Sequence, residues 1–126
     1  MVMKKLVMLL AIFAVTVACN EKQTGVKDIS QEEFAKLNTT EIQLLDVRTP
    51  DEVNKGIIQG AIVVNFYDQD FAKKAAMKFD KSKPIYIYCA AGGRSSKASS
   101  QLLLEGFDEV YNLLGGYGKW IKRQDK

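Results

Sequence analysis

From Ile29 onward the chain alternates short, continuous apolar runs with stretches in which apolar residues recur at helical spacing. The runs are residues 42–47 (IQLLDV), 61–66 (AIVVNF), 85–88 (IYIY) and 110–113 (VYNL). Runs of this length, rich in branched and aromatic residues, predict strands buried on both faces of a sheet. Helix signals lie between them. Ser30 and Glu33 have capping-box spacing, Ile29 and Phe34 are placed as a hydrophobic staple, and Phe34 and Leu37 carry the buried stripe as far as Asn38. Thr49-Pro50-Asp51-Glu52 repeats the capping-box spacing with proline at the first helical position. An alanine- and lysine-rich helix is expected over 70–79, before the turn residues Asp80, Ser82 and Pro84. Another is expected over 95–105, with Ala98, Leu102 and Leu103 inward and Gly106 as its stop. Gly115-Gly116 then reads as a turn, and 117–123 as a last helix with Trp120 inward. This alternation predicts an α/β fold, a parallel sheet flanked by helices on both faces.

The first residues follow a different logic. Lys4 and Lys5 precede the uncharged stretch 6–18 (LVMLLAIFAVTVA), too short for a bilayer-spanning helix, which needs about 20 residues. A basic start, a short apolar core and then small residues is the layout of an export signal. The stretch ends Thr16-Val17-Ala18-Cys19, and small residues directly before a cysteine resemble a bacterial lipobox, with Thr16 in place of the usual leucine. That resemblance implies that Cys19 is acylated and becomes the new N-terminus. The expected organisation is a signal peptide over 1–18, a lipid-anchored tether over 19–28 and one domain over 29–126. Its expected location is the cell envelope or periplasm, held to the membrane through the lipid.

Composition narrows the chemistry. A chain of 126 residues has room for one domain. Its 18 Lys+Arg against 15 Asp+Glu leave a net charge of +3, too small to argue for nucleic acid. Lys73, Lys74 and Lys78 read as a solvated helix face. There is no histidine, so Ser-His and Cys-His nucleophile pairs and histidine metal sites are excluded within this chain, and no metal is expected. Of the two cysteines, Cys89 has no intrachain partner if Cys19 carries lipid. A lone thiol in an oxidising compartment calls for a function.

One constellation supplies it: Cys89-Ala90-Ala91-Gly92-Gly93-Arg94-Ser95, between a buried strand and a helix. Ligands of open parallel sheets bind beyond the C-terminal ends of the strands, where Cys89 stands. Small residues and glycines let the loop curl so that successive N–H groups converge on one centre, and the following helix adds its positive end. Arg94 is expected to contribute a permanent charge there. A thiol so placed has a depressed pKa and serves as a thiolate without histidine. A single cysteine at a strand end is more often a small core residue, but the full combination points to a reactive one.

These residues carry a resemblance. Leu45-Asp46-Val47-Arg48 with Glu52, Gly60-Ala61-Ile62 with Asn65, the loop CAAGGRS and the C-terminal GFDEVYNLLGGYGKW occur in order, and over about 29–121 the chain resembles a single-domain rhodanese of the thiosulfate sulfurtransferase type. The resemblance implies a rhodanese-like sheet with the active loop at the end of a central strand. It also implies double displacement: Cys89 takes a sulfane sulfur from thiosulfate, polysulfide or a protein persulfide and passes it to a thiophilic acceptor, cyanide in an assay. No cofactor beyond the covalent persulfide is implied. The expected partners are a small sulfur-donor anion and a thiol acceptor, with the protein acting as a monomer.

Loop spacing favours this reading over phosphatases of similar fold, whose loop between cysteine and arginine is one residue longer than Ala90 to Gly93. The chain departs from the family in two places. Ile57 stands where histidine is common, and Ala90 and Ala91 stand where charged or polar side chains are frequent, which points away from thiosulfate as preferred donor. Asp46, Arg48 and Phe66 are candidate pocket borders, with Asn65 and Tyr67 beside the mouth. Arg48 with Glu52 is expected to order a loop, and Ser95 and Ser96 to cap a helix. The alternative function is a module of the same fold that binds an anion, or relays sulfur only with a protein partner. Thiol-disulfide exchange would lack the usual second cysteine.

Overall fold

Each apolar run contains a strand, and among the described residues every strand pairing is parallel. The computed structural model describes residues 25–126; the expected export segment and Cys19 lie outside the described residues. In chain order the elements are β1 (Val26–Ile29), α1 (Gln31–Phe34), β2 (Gln43–Asp46), α2 (Pro50–Val53), β3 (Ile62–Val63), α3 (Phe71–Ala76), β4 (Ile85–Tyr88), α4 (Gly93–Leu104), β5 (Val110–Leu113) and α5 (Gly116–Gln124). The sheet order is β1-β5-β4-β2-β3, which puts β4 in the middle.

The pleat of β4 divides the core in two. Ile85, Ile87 and Cys89 face one side, where Phe71 and Ala75 of α3 and Ala98 and Leu102 of α4 close over them. Tyr86 and Tyr88 face the other, packed with Phe34 of α1 and Tyr117 and Trp120 of α5. Trp120 meets Phe34 edge-on at 5.2 Å, as its inward reading required. Both helix starts read from spacing are capped: Ser30 accepts from the Glu33 N–H, and Thr49 and Glu52 form a reciprocal box. Helices on both faces of a central parallel sheet are the architecture expected from the alternation.

Helices α1 and α3 stop short of expectation, at Phe34 and Ala76, and three further differences bear on the sheet and the site. Residues 26–28, read as tether, belong to β1, which pairs with β5 along its length. Only Ile29 of this edge strand is buried, so VKDI lacks the continuous apolar run by which inner strands are recognised. The run 61–66 is not a buried strand: only Ile62 and Val63 pair, at the opposite edge of the sheet, and Ile62 is exposed. Helix α4 begins at Gly93 rather than Ser95, which brings Arg94 into its first turn.

Candidate active site

β4 delivers Cys89 to the C-terminal edge of the sheet, and alternation turns its thiol toward α4, where it is buried. The chain must then reverse direction. Gly92 makes the reversal at φ 115°, in the left-handed region that glycine enters at low cost, and α4 starts at the next residue. The first N–H groups of a helix have no acceptor within it; here they find one in the sulfur. The Gly92 N–H donates to Cys89 Sγ at 3.0 Å, and the Ser95 hydroxyl lies 3.3 Å from it. Burial pushes the Cys89 thiol up. The Ser95 hydroxyl, and then the backbone N–H groups of Ser95, Gly92 and Ala91, outweigh that effect and leave its pKa below the ordinary value.

The loop is held in this shape from behind. The Tyr117 and Gly118 N–H groups, at the start of α5, donate to the carbonyls of Cys89 and Ala90 at 2.8 and 3.0 Å. With its carbonyls turned toward α5, the loop directs N–H groups at the sulfur. Gly116, at φ 57°, sits so close to the backbone of Cys89 and Ala90 that no side chain fits there. The Gln31 side chain ties the same turn by donating to the carbonyls of Leu114 and Gly116 at 2.8 and 3.1 Å.

Arg94 is placed differently from expectation. Its guanidinium forks onto Glu52, with Nη1 2.7 Å from Oε1 and Nη2 2.8 Å from Oε2, so its charge is shared with a carboxylate rather than free at the thiol. Glu52 is itself held by Thr49, whose N–H and hydroxyl donate to Oε1 at 3.2 and 3.0 Å. The Arg94 fork holds the Glu52 carboxyl down from 4.5 to about 2. The exposed Tyr67 ring lies 5.9 Å from the guanidinium.

Residues 30–123 match the family model described as rhodanese-like domain. The chain belongs to the rhodanese-like family. It is similar to the chloroplastic thiosulfate sulfurtransferase 16 of Arabidopsis thaliana, 39% identical over 87 residues that cover 62% of this chain and 72% of that protein. It is also similar to a sulfurtransferase of Allochromatium vinosum, 29% identical over 99 residues, covering 77% of this chain and 90% of that one. Among solved structures, the rhodanese-like domain protein of Staphylococcus aureus superposes with a TM-score of 0.65 at 31% identity, over 75% of this chain and 90% of that chain.

Within this rhodanese-like domain the other candidates separate. Asp46 and Arg48 are 0% and 2% exposed and pair with each other, Arg48 Nη2 standing 2.6 Å from Asp46 Oδ2. The Arg48 fork also donates to the Gly56 carbonyl at 2.8 Å and lies 3.9 Å from the Tyr117 ring. It therefore ties β2, the loop after α2 and α5 together, and the expected pairing of Arg48 with Glu52 does not form. Phe66 packs between Tyr67 and Phe71 against the cluster that holds Cys89, leaving Tyr67 at the rim. Asn65 orders that turn by accepting from the Tyr67 N–H. Ser95 is buried against the sulfur instead of capping α4, whose N-cap is Gly92. Ile57, at the position of the family's common histidine, is exposed. Asn112 was missed. Its signal was a polar amide inside the buried run VYNL, and it stands 2.6 Å from Ser95 Oγ.

Proposed function

We propose that this rhodanese transfers a sulfane sulfur through a persulfide on Cys89. The observation that carries the reading is the Gly92 N–H aimed at Sγ at 3.0 Å, in a loop whose further N–H groups favour the anion. In the first half-reaction the Cys89 thiolate attacks the outer sulfur of the donor. With thiosulfate, the donor S–S bond breaks and sulfite leaves with the bonding pair. Cys89 then carries a persulfide, whose terminal sulfur is anionic, and preorganised loop N–H groups suit that charge. In the second half-reaction a nucleophile, cyanide in an assay or a cellular thiol, attacks the terminal sulfur. The persulfide bond breaks, its electron pair returns to Cys89 as thiolate, and cyanide leaves as thiocyanate. Two displacements through one covalent intermediate give ping-pong kinetics. Cys89→Ser is expected to abolish transfer, and substantial transfer by that variant overturns the reading.

The engagement of Arg94 by Glu52 favours a particular class of donor. With Ala90 and Ala91 supplying no polar side chain, a compact dianion such as thiosulfate meets little uncompensated positive charge. A polysulfide or a protein-bound persulfide suits such a mouth better. Comparing donors by kcat/KM tests this, and a clear advantage for thiosulfate contradicts it. The same feature supports a second reading, a relay that passes sulfur only within a protein complex; multiple turnovers with free donor and acceptor exclude that. The basic, apolar and cysteine pattern of the N-terminus supports placing the activity at the cell envelope. Cys19→Ala is then expected to leave the membrane fraction.

A further inference from the structure

Behind the thiol, polar groups run through the sheet to its edge. Ser95 Oγ has three acceptors in reach: Cys89 Sγ at 3.3 Å, the Gly92 carbonyl at 3.2 Å and Asn112 Oδ1 at 2.6 Å. A hydroxyl has one proton to donate, and the shortest contact is to the amide oxygen. The amide cannot turn over and offer its N–H instead, because Nδ2 faces Asp28 Oδ1 at 3.3 Å. An ionised carboxylate only accepts, so a flipped amide would set oxygen against oxygen. Strand register fixes this meeting: Asp28 of β1 lies directly beside Asn112 of β5. Ser95 and Asn112 are both buried.

We propose that Asn112 is a positioning residue that holds the Ser95 hydroxyl proton away from the Cys89 sulfur, with Asp28 fixing the orientation of the amide. In the resting thiol, the S–H is free to donate to Ser95 Oγ while Ser95 donates to Asn112. When the thiol loses its proton to solvent, the Ser95 O–H must swing from Asn112 to the sulfur. One neutral hydrogen bond is broken to make one charge-assisted bond. The chain therefore holds back part of the stabilisation that the loop offers the thiolate. Nucleophilicity of a thiolate falls as its acidity rises, so a restrained Ser95 keeps Cys89 a stronger attacker of donor sulfur. Other charged or titratable groups near Cys89 include Arg94 on α4 with Glu52 on α2, Tyr67 after β3, Tyr88 on β4 with the Asp46–Arg48 pair, and Tyr117 on α5; the side-chain hydrogen bonds of Asn112 run instead to Ser95 and Asp28.

The proposal rests on Cys89 as the nucleophile, but its test reads the thiol and not sulfur transfer. The rate of Cys89 alkylation by iodoacetamide is followed against pH in the full chain, by mass of the Cys89 peptide. Asn112→Leu is expected to move the midpoint to lower pH, raising the thiolate fraction below it about fivefold, the worth of one neutral hydrogen bond no longer broken. Alkylation there is expected to speed up about two- to threefold, because the more acidic thiolate is the weaker nucleophile. Asp28→Ala is expected to move the midpoint the same way, and the double variant no further than Asn112→Leu alone. In a Ser95→Ala background neither substitution is expected to have any effect. An unchanged or raised midpoint in Asn112→Leu overturns the proposal. So does an Asp28→Ala shift that persists without Ser95, since that makes Asp28 a through-space charge. Should Asn112→Leu fail to fold, Asp28→Ala on the exposed edge strand, with and without Ser95, decides the matter alone.

Discussion

At the scale of single residues, the character of Cys89 is a contest between burial and donated hydrogen bonds, and the bonds win. The same accounting applies to Glu52, which the Arg94 fork holds at about 2 instead of 4.5. A carboxyl depressed by folding stabilises the native state fully above its unfolded pKa, and that contribution is lost as pH falls through its folded value. Glu52→Gln is therefore expected to cost about 1 kcal/mol at neutral pH, the upper range for a partly exposed pair. Its deficit against the parent should shrink as pH falls from 4.5 toward 2; urea unfolding at several pH values measures this. The substitution also releases Arg94, so KM for thiosulfate should fall several-fold while that for a polysulfide changes less. Legibility at this scale followed distance along the chain. The Thr49–Glu52 box was readable because its partners are three residues apart, whereas Arg94 and Glu52 are 42 apart and only the fold brings them together. Nothing local distinguished Arg48, which pairs with Asp46, from Arg94 as the partner of Glu52.

At the scale of elements, two helix starts make the site: α4 presents N–H groups to the sulfur, and α5 holds the loop carbonyls away from it. Glycine serves a different need in each. A methyl at Gly92 would meet nothing nearer than 3.8 Å, so Gly92→Ala suffers only from its φ of 115°. The expected loss is about 1–3 kcal/mol, with the thiol midpoint moved upward as the Gly92 N–H shifts from the sulfur. A methyl at Gly116 would run into the backbone of Cys89 and Ala90. Gly116→Ala is expected to cost more stability than Gly92→Ala and to remove most sulfur transfer; equal behaviour of the two variants in unfolding and turnover would refute this division. The central strands and most helices were legible because burial on both faces leaves an unbroken apolar run, as in IYIY. The edge strands were not: β1 carries Lys27 and Asp28, and the apolar run around β3 overstates how much of it pairs or is buried.

At the scale of the molecule, the sheet order places Cys89 at the end of the middle strand, walled by α4 and backed by α5, while β1 closes the far edge and supplies Asp28. Deleting the residues up to and including Ile29 removes that edge and the buried Ile29 side chain. The truncation is expected to lose at least about 2 kcal/mol by urea unfolding; a truncated domain as stable as the longer one would make β1 dispensable. The most direct measurement of the whole is intact mass of the protein after incubation with thiosulfate or polysulfide, and again after cyanide. The expected result is a gain of one sulfur on Cys89, removed by cyanide as thiocyanate appears. A folded protein with a free Cys89 thiol that takes up no sulfur from either donor would contradict the persulfide mechanism.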